Sequence, residues 1–357
     1  IKFASNGISI EDGEIIIANS LIVQNNIGVS IIGGSAITIQ NSSISYNVGN
    51  GLYVKDWLPT TVMLNLERVG ISYNGGAGVS MAMRCVAQIR KSAIIKNRGD
   101  GIYSYSGSFE HCFIFDSTIA ENSGDGLYQD EWSWTTWHIS GSTIVNNSGA
   151  GIYREADGYP IYVENSTIKG NKNSGIMGHI GGYIYYSNIY ANAPYDIRNM
   201  EADDVDAIDN WWGTTDETMI QEHIYDYYDD YNLGRVLFKP FLTASAKVPD
   251  YIPPTTSHDY DGLWRNTDFT ITLRATDYES GIAETYYQIN AGPIRNVGTH
   301  SQPLITIESG NNTLEYWSVD NAGNEELPHK VLTGIRLDKT APTVEIPSRI
   351  PESDVEP

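Results

Sequence analysis

The sequence predicts an all-β chain: a parallel β-helix solenoid of about eight or nine coils, then a small β-sandwich. Three observations carry this. One hexad returns through the first half at short, nearly constant intervals. The text between copies holds short alternating runs broken by Gly, Ser and Asn, with no helical period. Beyond a Pro-rich stretch, the repeat gives way to longer alternating strands.

The hexads end at Asn47 (SSISYN), Asn74 (VGISYN), Asn97 (SAIIKN), Asn122 (STIAEN), Asn147 (STIVNN), Asn171 (STIKGN) and Asn192 (SNIYAN). Four residues after most of them come Gly and an apolar residue, as in Gly101-Ile102 and Gly126-Leu127. A period of about 20–30 residues marks a solenoid, because each unit buries its apolar face only against the next. Each unit of about 24 residues reads as three short strands, stacked on its neighbour at the ~4.8 Å inter-strand spacing. Hexad Ile and Val then point inward, like on like. The Asn column lands on one turn in every coil, where its amides bond the Asn above and below. That makes it a structural ladder and not a ligand set. The Gly after it supplies a corner.

The repeat x-S-T-I-x-x-N-x-x-x-G-I resembles the right-handed parallel β-helix superfamily, which includes pectate lyases, polygalacturonases, phage tailspikes and NosD-like surface repeats. The resemblance covers residues 1–245 and implies the fold; the superfamily holds enzymes, adhesins and structural proteins alike.

A solenoid must be closed at its end. DAIDNWWG (Asp206 to Gly213) precedes a predicted capping helix, with Met219, Ile220, His223, Ile224 and Tyr227 on one face and Thr215 or Asp216 as N-cap. Arg235 to Leu242 returns as a strand, and the whole resembles the W-W-G…V-x-F-x-P-F-L terminus of bacterial and archaeal surface β-helices. Residues 246–257 form a Pro-rich linker and 258–340 the sandwich. ATDYESGI, YYQINAG, WSVDNAGNEE and DKTAP in the sandwich resemble bacterial Ig-like or fibronectin-III-like modules of exported proteins. Residues 341–357 read as a linker to a further module.

Composition excludes several classes. With 44 acidic against 22 basic residues the formal net charge is −22, which opposes nucleic-acid binding. No apolar run is long enough to span a bilayer. Two cysteines cannot staple a scaffold; Cys85 and Cys112 sit about one repeat apart, either bridged between coils or buried as small hydrophobes. Seven His without metal-ligand spacing give no support for zinc or copper. Four N-x-S/T sequons, at Asn41, Asn146, Asn165 and Asn311, permit glycosylation.

Counting from each repeat Gly aligns Lys55, Asp56 and Trp57; Arg84; Tyr105; Asp130, Glu131 and Trp132; Arg154 and Glu155; and His179. The longest excursion, QDEWSWTTWH, adds Trp134 and Trp137. Rings stack on pyranose faces while ions bond hydroxyls or uronates, so Lys55, Asp56, Trp57, Arg84, Tyr105, Trp132 and Trp134 are the candidate carbohydrate contacts. The alternative is that Trp134 and Trp137 cover the side of the barrel. Glycoside hydrolysis needs two carboxylates, which Asp130 or Glu131 with Glu155 or Asp56 could supply. A lyase needs a base beside a neutralised uronate, for which Arg84, Arg154 and His179 are available. The polygalacturonase words N-T-D, D-D, G-H-G and R-I-K are missing; His179 lies in GHI. Asp226, Asp229 and Asp230, and Asp277 with Asp320, Asn321 and Asn324, could bind Ca²⁺, or serve as solvated helix face and turn caps.

The expected function is a non-catalytic extracellular surface, sheath or adhesive module, with no required cofactor, Ca²⁺ at most, and glycan or neighbouring copies as partners. A polysaccharide lyase or hydrolase, acting on an acidic polymer in the groove, and a glycan-binding module are the alternatives.

Overall fold

A computed structural model describes residues 1–33, 35–55, 61–82, 84–105, 110–155, 159–250, 252–277, 280–296, 298–326 and 329–344. The chain divides into two compact bodies, 1–252 and 253 onward. The division falls inside the stretch read as a linker.

The first body is a parallel solenoid with three strands per coil. One face is a sheet of ten parallel strands, Asn6–Ile10, Ile27–Ile32, Leu52–Lys55, Val79–Ala82, Ile102–Tyr105, Leu127–Gln129, Ile152–Arg154, Ile176–Gly178, Ile197–Asn199 and Ile224–Tyr225. A second sheet carries the other two faces. They are continuous because Ser35–Ser45 and Val62–Ser72 run unbroken through the corner: Val62–Glu67 pairs with Cys85–Arg90, and Gly70–Ser72 pairs with Ala93–Ile95. Register stacks like on like. Ile71, Ile94, Ile119, Ile144, Ile168 and Ile189 are consecutive partners and all fully buried. Cys85 and Cys112 are also buried in this core, with Cys112 opposite Ala87.

Two corner columns hold the coils in register. In the first, each ladder Asn accepts, on one Oδ1, the side-chain amide of the Asn below at 2.9–3.0 Å, from Asn47 through Asn192. The same oxygen accepts that residue's backbone N–H. Each Asn is thus an acceptor for the coil beneath and a donor to the one above, so buried polar groups are paired. The residue just before each one is left-handed: Tyr46, Tyr73, Lys96, Glu121, Asn146, Gly170 and Ala191 have φ of 53 to 67°. The repeat glycines are there for space. A Cβ on Gly126 would meet Gly151 O at 2.5 Å and Ile144 Cγ2 at 2.8 Å.

The solenoid closes with a helix shorter than the sequence suggests. Asp216 caps it, its Oδ1 accepting Thr218 N at 2.9 Å, but the helix is Glu217–Glu222 only. Ile224–Tyr225 instead adds the last strand of the ten-stranded sheet, opposite Ile197 and Arg198, and Met219 is 51% exposed. An unpaired edge of backbone donors and acceptors outcompetes one more helical turn. Val236–Leu237 pairs with Val205–Asp206, and Trp212, Ile220 and Phe238 cover the core.

The second body is antiparallel. A four-stranded sheet, Arg295–Asn296, Ile282–Ile289, Ser309–Asp320 and Lys330–Leu337, is joined by two two-stranded sheets. Ile271, Leu273, Tyr287, Ile305, Leu314, Tyr316, Ile335 and Leu337 form its core.

Candidate functional site

The ten-stranded sheet builds the line counted from the repeat glycines. Lys55 and Tyr105 both pair with Ala82. The ladder continues through backbone bonds from Asp130 N to Ser104 O at 3.1 Å, Glu155 N to Gln129 O at 3.0 Å and His179 N to Arg154 O at 3.4 Å. Lys55, Ala82, Tyr105, Asp130, Glu155 and His179 therefore share one column at successive rungs. Asp56 and Trp57 lie outside the described residues. Arg84 is exposed, beyond the end of the strand Val79–Ala82.

Beside this column runs a tyrosine stack, Tyr103 on Tyr128 at 5.3 Å and Tyr128 on Tyr153 at 5.4 Å, with Tyr105 leaning on Tyr103 at 5.0 Å. The rings cover one another's faces and turn edges outward, so a sugar meets phenol edges here rather than a ring plane. Tyr128 donates to Glu155 Oε2 at 2.5 Å and Tyr105 to Tyr53 Oη at 3.0 Å. Burial and the charges of Asp130, Asp100 and Glu155 push the Tyr103 phenol up. Burial and the Glu155 bond do the same to Tyr128. Trp132, 68% exposed, and Trp134, 45% exposed, stand at the rim. Trp132 N donates to Asp130 Oδ1 at 3.1 Å, which fixes the turn that displays it. A second outward stack, Phe113, His138, Tyr162 and Tyr183 at 4.6–5.0 Å, climbs the next face. Burial and nearby His111 hold His138 below the ordinary histidine range.

Arg154 does not belong to the groove. Strand alternation turns Tyr153 outward and Arg154 inward, where it is 1% exposed and its Nη1 donates to Tyr159 O. It sits in an interior polar column. Ser104 Oγ contacts Ser133 Oγ at 2.7 Å and Thr135 Oγ1 at 2.8 Å, Gln129 Nε2 donates to Ser133 O at 2.7 Å, and Trp137 Nε1 donates to Gln129 Oε1 at 2.7 Å. Trp137 is thus core. With Arg154 inside, Asp130, Glu131 and Glu155 outnumber Lys55 and Arg84 along the strip.

The acidic clusters work mainly as turn caps. Asp226 is 0% exposed, and its oxygens accept Tyr228 N at 3.0 Å and Val236 N at 2.8 Å. Asp229 accepts Asp226 N at 3.2 Å, and Asp230 accepts Asn232 N at 3.0 Å. In the second body, Asp320 accepts Asn324 N and Nδ2, both at 2.8 Å; Asp277 accepts Gly281 N at 2.7 Å; Asn321 donates to Ser280 O at 2.8 Å. Asp277 and Asp320 bring carboxylate oxygens within 4.8 Å of each other.

A serine column escaped the sequence reading. Val69 N, Ser92 N, Ser117 N, Ser142 N and Ser166 N each donate to the Oγ of the hexad-initial serine one coil on, at 3.0–3.2 Å. Its signal was the Ser opening most hexads; Val69 is the exception. The sequon residues Asn41, Asn146 and Asn165 stand immediately before these corner columns, exposed and with φ of 47 to 56°. Asn tolerates that conformation, which accounts for Asn at these corners.

The family model described as right handed beta helix region matches residues 1–136. The first body is a right-handed parallel β-helix. Among solved structures, this β-helix chain is similar to the crystal structure of pectate lyase Pel9A at 15% identity and a TM-score of 0.31, over 57% of this chain and 60% of that one. The chain therefore spans less than two thirds of that lyase's length. No curated protein matches.

Proposed function

We propose that this chain is a non-catalytic module of an extracellular surface, sheath or adhesive structure, with a β-helix rod that contacts glycans along the strip rimmed by Trp132 and Trp134. The observation carrying this reading is the investment in rigidity. Asn and Ser columns run coil after coil, straight past the strip, and the end is closed by its own helix and strand. The strip itself has exposed indoles, and one of its candidate cations, Arg154, is interior. Asp130, Glu131 and Glu155 outnumber the cations Lys55 and Arg84 on the strip, so a neutral or amine-bearing glycan suits it better than a uronate polymer.

One observation favours hydrolysis as the second reading. Asp130 and Glu155 occupy adjacent rungs of one column, so the strip carries the two carboxylates that glycoside hydrolysis needs. The deciding experiment pairs glycan-array binding with reducing-sugar and unsaturated-uronate assays over neutral, amino and acidic polysaccharides. Binding that Trp132→Ala abolishes, with no turnover, supports the module. Turnover lost in both Asp130→Ala and Glu155→Ala establishes the hydrolase instead.

A further inference from the structure

In the second body, His329 lies between two carboxylates. Its Nδ1 is 2.9 Å from Glu315 Oε1 and its Nε2 is 2.9 Å from Glu325 Oε1. The ring is stacked on Trp317, centroids 3.8 Å apart and planes 2° from parallel. A neutral imidazole has one N–H and can satisfy one of these acceptors; two acceptors at opposite nitrogens require both to be donors. Solvent reaches all three side chains, and an imidazole is the stronger base, with an ordinary pKa of about 6.5 against 4.3 for a glutamate. The shared proton therefore belongs on the ring.

Glu315 sits on the strand Ser309–Asp320, whereas Glu325 belongs to the loop 321–326. That loop is also held by the bridge between Val319 and Glu325, by Glu326 N donating to Ser318 O at 3.0 Å and by Thr256 N donating to Glu326 Oε1 at 3.0 Å. Near its start Asn321 N donates to Gly281 O at 2.9 Å and Asn324 N to Asp320 at 2.8 Å, so the His329 contact acts on its Glu325 end. We propose that His329 carries a proton on both ring nitrogens in the folded chain and acts as a pH-gated clasp, holding the loop 321–326 on the four-stranded sheet and releasing it as the proton leaves.

The surroundings favour the charge. The strand Ile282–Ile289 contributes Glu284 and Tyr286, whose hydroxyl donates to Glu284 and whose ring stacks on Trp317 at 5.5 Å. The adjoining residue, Lys330, is committed to Glu326 at 2.9 Å and to Thr256 O at 2.6 Å. Burial of the ring opposes the proton, but the hydrogen bonds to Glu325 and Glu315 and their charges outweigh it and hold His329 above the usual histidine range. A group whose pKa is raised in the closed state stabilises that state fully below its open-state pKa. The contribution fades as pH rises through the closed-state value.

The test is an imidazole ¹⁵N titration of the full chain with residue-resolved amide exchange, corrected for the intrinsic pH dependence. Expected is a His329 protonated on both nitrogens at pH 6 and titrating above about 6.5. Opening of 321–326 should rise about tenfold for each unit separating the closed and open pKa values. Glu325→Gln should lower the midpoint and flatten the loop's pH dependence, while exchange at Leu314 and Ile335 reports that the core is intact. A neutral, single-tautomer ring at pH 6 overturns the clasp. So does a loop whose opening ignores the His329 titration.

Discussion

Replacing Asn122 by Ala tests whether the Asn column holds the rod together. Asn122 is fully buried, and its Oδ1 accepts Asn97 N at 3.0 Å and Asn97 Nδ2 at 3.0 Å. Its own Nδ2 donates to Ile94 O at 3.0 Å and Asn147 Oδ1 at 3.0 Å. Alanine leaves two buried donors of Asn97 unmet and weakens two acceptors. Asn147 Oδ1 still receives Asn122 N at 3.0 Å. At ~1–3 kcal/mol for each orphaned buried donor, the loss is about 2–6 kcal/mol. Because coils interact only with their neighbours, damage should concentrate in the adjoining rungs. Residue-resolved amide exchange around Ile94, Ile119 and Ile144 is the direct assay, since the two bodies need not unfold together. Asn25→Ala is the internal control: Asn25 Oδ1 accepts only Ala4 N at the free end of the column, at 3.0 Å. It should cost clearly less. Equal losses at Asn25 and Asn122, or a loss below about 1 kcal/mol at Asn122, would refute the ladder as the source of rigidity.

Two further outcomes follow from the same corners. Burial lifts Asp125 and Asp196 from 3.8 to about 6. Their folded-state pKa values exceed the unfolded ones, so the first body should be most stable below about pH 4 on their account and lose on the order of 3 kcal/mol for each carboxyl as pH rises through 6. Asp196→Asn, which adds one more amide to the column above Asn192, should remove its share of that slope in a thermal-melt series from pH 3.5 to about 7. Gly126→Ala, forced against Gly151 O, should lower the urea midpoint by the equivalent of ~1–3 kcal/mol. Gly70→Ala, with open space at its Cβ, should change it little; equal effects would remove close packing as the reason for the repeat Gly.

What the sequence made legible is what every coil is forced to repeat. The inward Ile, the Asn before the corner and the Gly after it face the same packing and hydrogen-bond demand at each rung, so they recur at fixed spacing and can be counted. The serine column met the same demand but was harder to see, because Ser also suits turns and solvent and its role exists only once the register is known. Arg154 shows the opposite case. Alternation from buried Ile152 through outward Tyr153 already pointed it inward, yet charge argued for the surface; inside, Arg154 follows Gln129 on the next rung and donates to Tyr159 O. The capping helix was over-read for a related reason: Ile224 fits a helical face and a strand equally well, and only the waiting edge at Ile197 decides between them. Glu155 carries the same lesson to the strip. Its place in the column follows from counting, but its bond to Tyr128 depends on a neighbour on the adjoining coil, and pairings between coils set the chemistry of the surface.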